Sequence, residues 1–174
     1  MNINEYLVHF VGELNTQYKD ALRDLTETQL HFLPDKNSCH IAFHSWHFVR
    51  TEDNIINFVC QDRKMPVWVR QGLPDKWGLP RVPQGTGMSM DEARALRLPS
   101  LEAFLGYLRD VSSDIRPYLA SATSEDLDSI TEVRPHGMKP KLHHILQTVI
   151  AHGNRHLGQI MALRTLEGLS GDNM

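Results

Sequence analysis

Residues 140–168 read PKLHHILQTVIAHGNRHLGQIMALRTLEG, and their spacing sets the fold class. Leu142, Ile145, Val149, His152, His156, Ile160 and Leu163 recur at three- and four-residue steps, the period of one helical face. Pro140 suits a first helical turn, and Gly168 suits the residue just past a helix end. Two histidines therefore stand one turn apart on a face that is otherwise apolar.

Three further stretches share this period. Ile3, Leu7, Phe10, Leu14, Tyr18, Ala21 and Leu25 mark the first. The second starts near Asn37 or Ser38, either of which can cap a helix, and runs to about Gln61 with Ile41, His44, Phe48, Ile55 and Phe58 near one face. The third opens at Ser100, a good N-cap, and continues through Leu101, Leu105, Leu108, Ser112, Ile115 and Leu119. Helices of roughly 20–28 residues span about 30–40 Å. Four of them, each with one apolar face, bury those faces best against one another, so the sequence predicts an all-α four-helix bundle as a single domain over residues 1–174. No segment shows sustained period-two alternation; Val67–Val69 is the one short strand candidate.

The connections are uneven. The first and second helices are joined tightly, and a short turn, Ser124–Leu127, separates the third from the fourth. Between the second and third lies residue 62–99, a long crossover with five of the nine prolines and two of the three tryptophans. Ser89-Met90-Asp91-Glu92 reads as a capping box opening a short helix to about Arg97. Such a segment either lies along the bundle as a fastened connection or does a job, with Trp68 and Trp77 walling a pocket.

Composition narrows the function classes. Hydrophobic residues at 41% and charged residues at 22% describe a soluble globular chain, and the N-terminus carries no secretory pattern, so a cytoplasmic protein is expected. Lys+Arg 18 against Asp+Glu 21 gives a formal charge of −3, no footprint for a nucleic-acid partner. No apolar run is long enough to span a membrane. Two cysteines, Cys39 and Cys60, make no disulfide framework.

The unusual residue is histidine. Of ten, eight fall within residues 40–47 and 136–156. Neutral imidazoles at i and i+4, as at His152 and His156, can hold one divalent ion at about 2.0–2.1 Å. His40, His44 and His47 share one stripe of the second helix at steps of four and three. A helix carrying three histidines inward, opposite another carrying two, points to a shared cation, because buried imidazoles without partners cost free energy. The competing reading is a solvated histidine stripe. His144 shares a face more nearly with Thr148 and His152 than His143 does, and Gln159 follows His156 by three residues.

His47-Phe48-Val49-Arg50-Thr51-Glu52-Asp53 resembles the second-helix motif of the DinB superfamily, where a histidine is followed by Arg-x-Glu-Asp. His152-x-x-x-His156-Leu157-Gly158-Gln159-Ile160 resembles that superfamily's fourth-helix motif, and the Leu163-Arg164…Gly168 ending matches as well. The resemblance implies up-down-down-up connectivity with a long crossover between helices two and three. It also implies one divalent metal ion held by His47, His152 and His156, and a homodimer. Characterised members of the family include thiol-dependent S-transferases and isomerases using mycothiol, bacillithiol or glutathione.

Several further residues sit around that implied site. His40 and His44 lie two turns and one turn before His47, so either can donate to a metal-bound water or replace a ligand. His144 and Gln159 are candidates for supporting the ligands, Gln159 equally for an inter-helix hydrogen bond. Gly158 suits close helix packing, and Arg50, Glu52 and Asp53 suit pairing or surface solvation. Excess apolar residues such as Trp46 and Val59 add to the expectation of a dimer.

Two function classes follow. Three neutral ligands leave an ion its full charge and open positions, so a bound water or thiol is easier to deprotonate; the resemblance implies a metal-activated thiol attacking a small electrophilic substrate, with a metal hydroxide performing hydrolysis as the runner-up. A non-catalytic metal-binding bundle for stress response is the other class, and it gains if His44 closes the coordination shell. Imidazole suits zinc, nickel and iron alike, zinc or nickel foremost.

Overall fold

The computed structural model describes residues 1–171. They form α1 (Ile3–Leu22), a single turn α2 (Glu27–Leu30), and α3 (Ile41–Asp53), which runs on as a π-helical stretch over Asn54–Val59. The crossover folds as three short helices, α4 (Val67–Arg70), α5 (Leu73–Trp77) and α6 (Met90–Ala95). Then come α7 (Leu101–Ser121), α8 (Ser124–Asp128), an antiparallel hairpin of β1 (Ile130–Val133) and β2 (Gly137–Pro140), and a last helix. That helix has three parts: α9 (Lys141–His144), a π-helical stretch over Ile145–Ala151, and α10 (His152–Leu166). The chain is mostly helical. Among the described residues no helix is long and apolar enough to cross a membrane.

The four long helical segments sit side by side: α1 packs on α7 and α10, and α3 packs on α10 and α7. Each end is fastened by side chains. Asn2 caps α1 by accepting from the Glu5 amide (3.0 Å), while Glu5 accepts from the Asn2 amide (2.9 Å). At the far end Arg164, fully buried, donates to both oxygens of Asp24 and to the Ala21 carbonyl, tying α10 to the end of α1. Ser100 and Ser89 cap α7 and α6 as their sequence predicts.

Several expectations are corrected. The second helix is capped by neither Asn37 nor Ser38, whose polar groups are spent on a turn with Asp35. His40 caps it instead, its Nδ1 accepting from the Phe43 amide at 3.0 Å. Val67–Val69 lies in a helix, not a strand, because the two oxygens of Asp53 accept from the Val67 and Trp68 amides (2.9 Å each) and cap that turn from outside. The hairpin occupies the place where only a short turn was expected. Its four-residue strands are mostly solvent-facing, too short to show alternation.

Every residue of Ile41–Asp53 is buried. α10, α7, α2, α4 and the π stretch of the last helix enclose α3, so no single stripe marks its inner face. Trp46, placed by its spacing outside the core, is therefore fully buried and meets Trp68 edge-on. Arg50, Glu52 and Asp53 are likewise buried rather than solvated. Arg50 donates to the Arg81 carbonyl and lies over the Trp68 ring; the Glu52 carboxylate accepts from Asn15 at 3.0 Å. Conversely Ile3, Phe10 and Phe58, assigned to inner faces, are at the surface.

Candidate metal centre

α3 and α10 cross so that His47, His152 and His156 meet. One ring nitrogen from each lies within 4.8 Å of the other two. Nε2 of His152 is 3.0 Å from Nε2 of His47 and 3.0 Å from Nε2 of His156. Nitrogens bound at 2.0–2.1 Å to one tetrahedral ion sit roughly 3.3 Å apart, so the spacing suits a shared divalent ion. These three residues form a group that could hold a metal ion.

The other edges of the rings are already engaged. Nδ1 of His47 donates to the Gln84 carbonyl, which leaves Nε2 with a free lone pair. The contact depends on Gly85, at φ 103°: a β-carbon there would stand 2.6 Å from His47 Nδ1. Nδ1 of His156 faces Nδ1 of His44 at 3.0 Å. For His156 to present Nε2, it carries its proton on Nδ1 and donates it to His44. Gln159, exposed on the last helix, lies near the His156 ring.

Burial makes these rings hard to protonate. It pushes His156 down to about 3, helped by the neighbouring His47, His152 and His44. Burial first and His47 second push His44 and His152 down to about 4. His47 is lowered by burial too, partly restored by the Gln84 carbonyl. At neutral pH all four rings are uncharged, the state a metal requires.

The remaining sequence candidates divide. His44 lies against a ring of the group, and Gln159 beside it. His40 does not reach the group: its second nitrogen, Nε2, donates to the Arg94 carbonyl at 3.2 Å. His144, fully buried, donates from Nε2 to the Thr131 carbonyl at 3.2 Å and so fastens the hairpin. Gly158 packs against nothing; Gly153 is the close contact, where a β-carbon would come within 2.6 Å of both Phe48 and Leu14. Its carbonyl accepts from the Tyr18 hydroxyl at 2.8 Å. Gln84 and Gly85 are the residues that sequence reasoning missed. The signal was the Pro83-Gln84-Gly85-Thr86-Gly87 run, a turn whose target lies far away in the chain.

A cleft of about 350 Å³ opens beside His152, between the hairpin and the last helix, bordered by Gln84 and Thr86 of the crossover. Trp68 and Trp77 do not border it. Trp68 is fully buried with its indole donating to the Pro80 carbonyl at 3.0 Å, and Trp77 packs edge-on against it. Both indoles fasten the crossover to the helices.

Comparisons with known proteins agree with this architecture. Residues 14–160 match the family model of the DinB superfamily. A crystal structure of a conserved protein from Enterococcus faecalis superposes with a TM-score of 0.82 at 17% identity, covering 95% of this chain and 97% of that one. No curated protein matches the chain significantly.

Proposed function

The chain belongs to the DinB superfamily, and on that premise we propose that it is a metal-dependent enzyme acting through an activated low-molecular-weight thiol, of the S-transferase or isomerase type. His47, His152 and His156 hold one divalent ion, zinc or nickel foremost and iron also suited to imidazole. The observation that carries the reading is the convergence of three uncharged ring nitrogens beside an open cleft. Three neutral ligands leave the ion its full charge, which would lower the pKa of a coordinated thiol so that it meets a small electrophile as thiolate.

The chain's own residues set up that chemistry. The Gln84 carbonyl and His44 fix the tautomers of His47 and His156 and hold both rings in place. His44 engages the far edge of His156, which makes it a positioning residue rather than a fourth ligand and favours an open coordination shell. The cleft opens beside His152, and among the described residues no carboxylate lines it to compete for the ion.

The proposal extends to architecture and assembly. The four long helices form an up-down-down-up bundle in one domain, and the protein is a homodimer. Tyr6 and Phe10, exposed and stacked 6.1 Å apart on α1, supply an apolar surface for the second copy. Light scattering at the 19.9 kDa of one chain would overturn the dimer.

The decisive experiment measures bound metal by elemental analysis, then follows consumption of glutathione, bacillithiol or mycothiol with 1-chloro-2,4-dinitrobenzene as electrophile. Metal-loaded protein should consume thiol, and His156→Ala should lose both metal and turnover. Thiol-independent cleavage of an ester would replace the reading with hydrolysis by a metal hydroxide. Full metal occupancy without either activity would leave a non-catalytic metal-binding protein.

A further inference from the structure

Among the described residues, the cleft beside His152 is lined by Arg134, Arg155, three histidines and neutral side chains, and by no acid. Arg155 projects from α10 one residue before His156, and it makes no hydrogen bond or ion pair among the described residues. Arg134 stands across the cleft on the hairpin turn. Its Nε touches Glu132 at 3.2 Å, and its Nη groups have no hydrogen-bond partner among the described residues. His143 and Thr148 line the same cleft, Thr148 within the π-helical stretch over Ile145–Ala151 and His143 just before it. Such stretches re-aim side chains and recur at functional sites.

Two guanidinium groups on the lining of one concavity raise its positive potential and favour an anion there. Solvation would satisfy one isolated surface arginine. Here both border one cleft that no acid lines among the described residues, and a ring of the metal group, His152, is in its wall. A guanidinium fork matches the two oxygens of a carboxylate or the edge of a phosphate. A volume of about 350 Å³ suits a small molecule.

We propose that the substrate of this centre carries an oxyanion, a carboxylate or a phosphate, which docks between Arg134 and Arg155 and directs the rest of the molecule toward His152. The inference rests on the enzyme reading for its reaction, but the anion site stands on the cleft alone. Docking the charged end at the hairpin side orients the uncharged, reactive end toward the three histidines, which is a positioning role for both arginines.

The test is an NMR titration of the arginine Nε–H signals in both metal-free and metal-loaded protein. The probes are succinate, inorganic phosphate and neutral succinamide. Succinate or phosphate should shift the Arg134 and Arg155 signals saturably in both forms, and the tighter of the two identifies the oxyanion. Succinamide should not bind. Arg155→Ala should weaken binding tenfold or more with metal content unchanged, Arg155→Lys less so, and Arg109→Ala, on α7 beside Asp110, not at all. Absence of saturable binding in either form overturns the proposal. So does binding that requires metal and ignores both Arg134→Ala and Arg155→Ala, since the anion is then only a metal ligand. Failure of the metal reading would show separately, as wild-type protein that takes up no metal while the metal-free titration still reads.

Discussion

Asp53 and His47 lie on the same buried helix less than two turns apart, and their surroundings complete them in opposite ways. Oδ1 of Asp53 accepts from the Val67 amide and Asn57, and Oδ2 accepts from the Trp68 amide and the Tyr107 hydroxyl, all at 2.8–2.9 Å. Every acceptor there has a protein donor. At His47 one nitrogen is committed to the Gln84 carbonyl, while the other points at the ring nitrogens of His152 and His156. Burial is alike; completion is not. A polar group satisfied wholly by its own chain is a structural node, whereas lone pairs gathered on one point are left for something the chain does not supply. The C-terminal end of α3 is thus a clamp for the crossover, while its middle carries one member of a group that could hold an ion.

That contrast can be broken most sharply at His152. His152→Ala should reduce bound metal to background by elemental analysis, because two imidazoles hold a divalent ion weakly, while circular dichroism stays helical. Unchanged metal content would remove the assignment. Asp53→Asn should do the reverse. Its amide cannot accept from all four donors, so urea denaturation should show a loss of about 3 kcal/mol, with metal stoichiometry unchanged in the folded fraction.

A pH series sharpens the same division. His44, His152 and His156 titrate near 6.5 in the unfolded chain but at about 4, 4 and 3 in the metal-free fold. The unfolded state therefore binds more protons below pH 6.5. Metal-free protein should lose stability steadily from there to about pH 4, by several kcal/mol in total across the three groups. A flat profile in chemical denaturation over that window would mean the rings are not buried as described. Glu52, pushed up to about 8 chiefly by burial, runs the other way, its contribution falling as pH rises from 4.5 toward 8.

Smaller effects probe the supports. Gly85→Ala forces the crossover off His47 and should weaken metal affinity roughly 10–100-fold in competition with a chromophoric chelator, with little change in the melting temperature of metal-free protein. An unaffected affinity would show that the Gln84 carbonyl does not orient the ring. His40→Ala removes a helix cap and the bond to the Arg94 carbonyl and should cost about 2 kcal/mol while leaving metal content unchanged. Metal loss in that variant would return His40 to the centre.

Periodicity alone disclosed the helical class and the length of the crossover, because an amphipathic helix writes its buried face into three- and four-residue steps. It marked Ser89, Ser100 and Gly168 as helix boundaries, since capping is a local transaction between a side chain and the next turn. Motif resemblance, rather than spacing, singled out His47, His152 and His156, for His40 and His44 share the same stripe.

What tertiary structure decided is which of these buried groups finds a partner from distant chain. His40 and His144 reach carbonyls of Arg94 and Thr131, His44 reaches His156, and Gln84 reaches His47 across a turn that only a positive-φ glycine permits. The same holds for Trp46, buried because α3 is enclosed on all sides, and for Val67–Arg70, helical because Asp53 supplies its cap. Local sequence determines the period and ends of a helix through neighbours a turn away. Whether a polar side chain is satisfied, stranded or ready for an ion depends on atoms far apart in sequence, and only the packed chain brings those together.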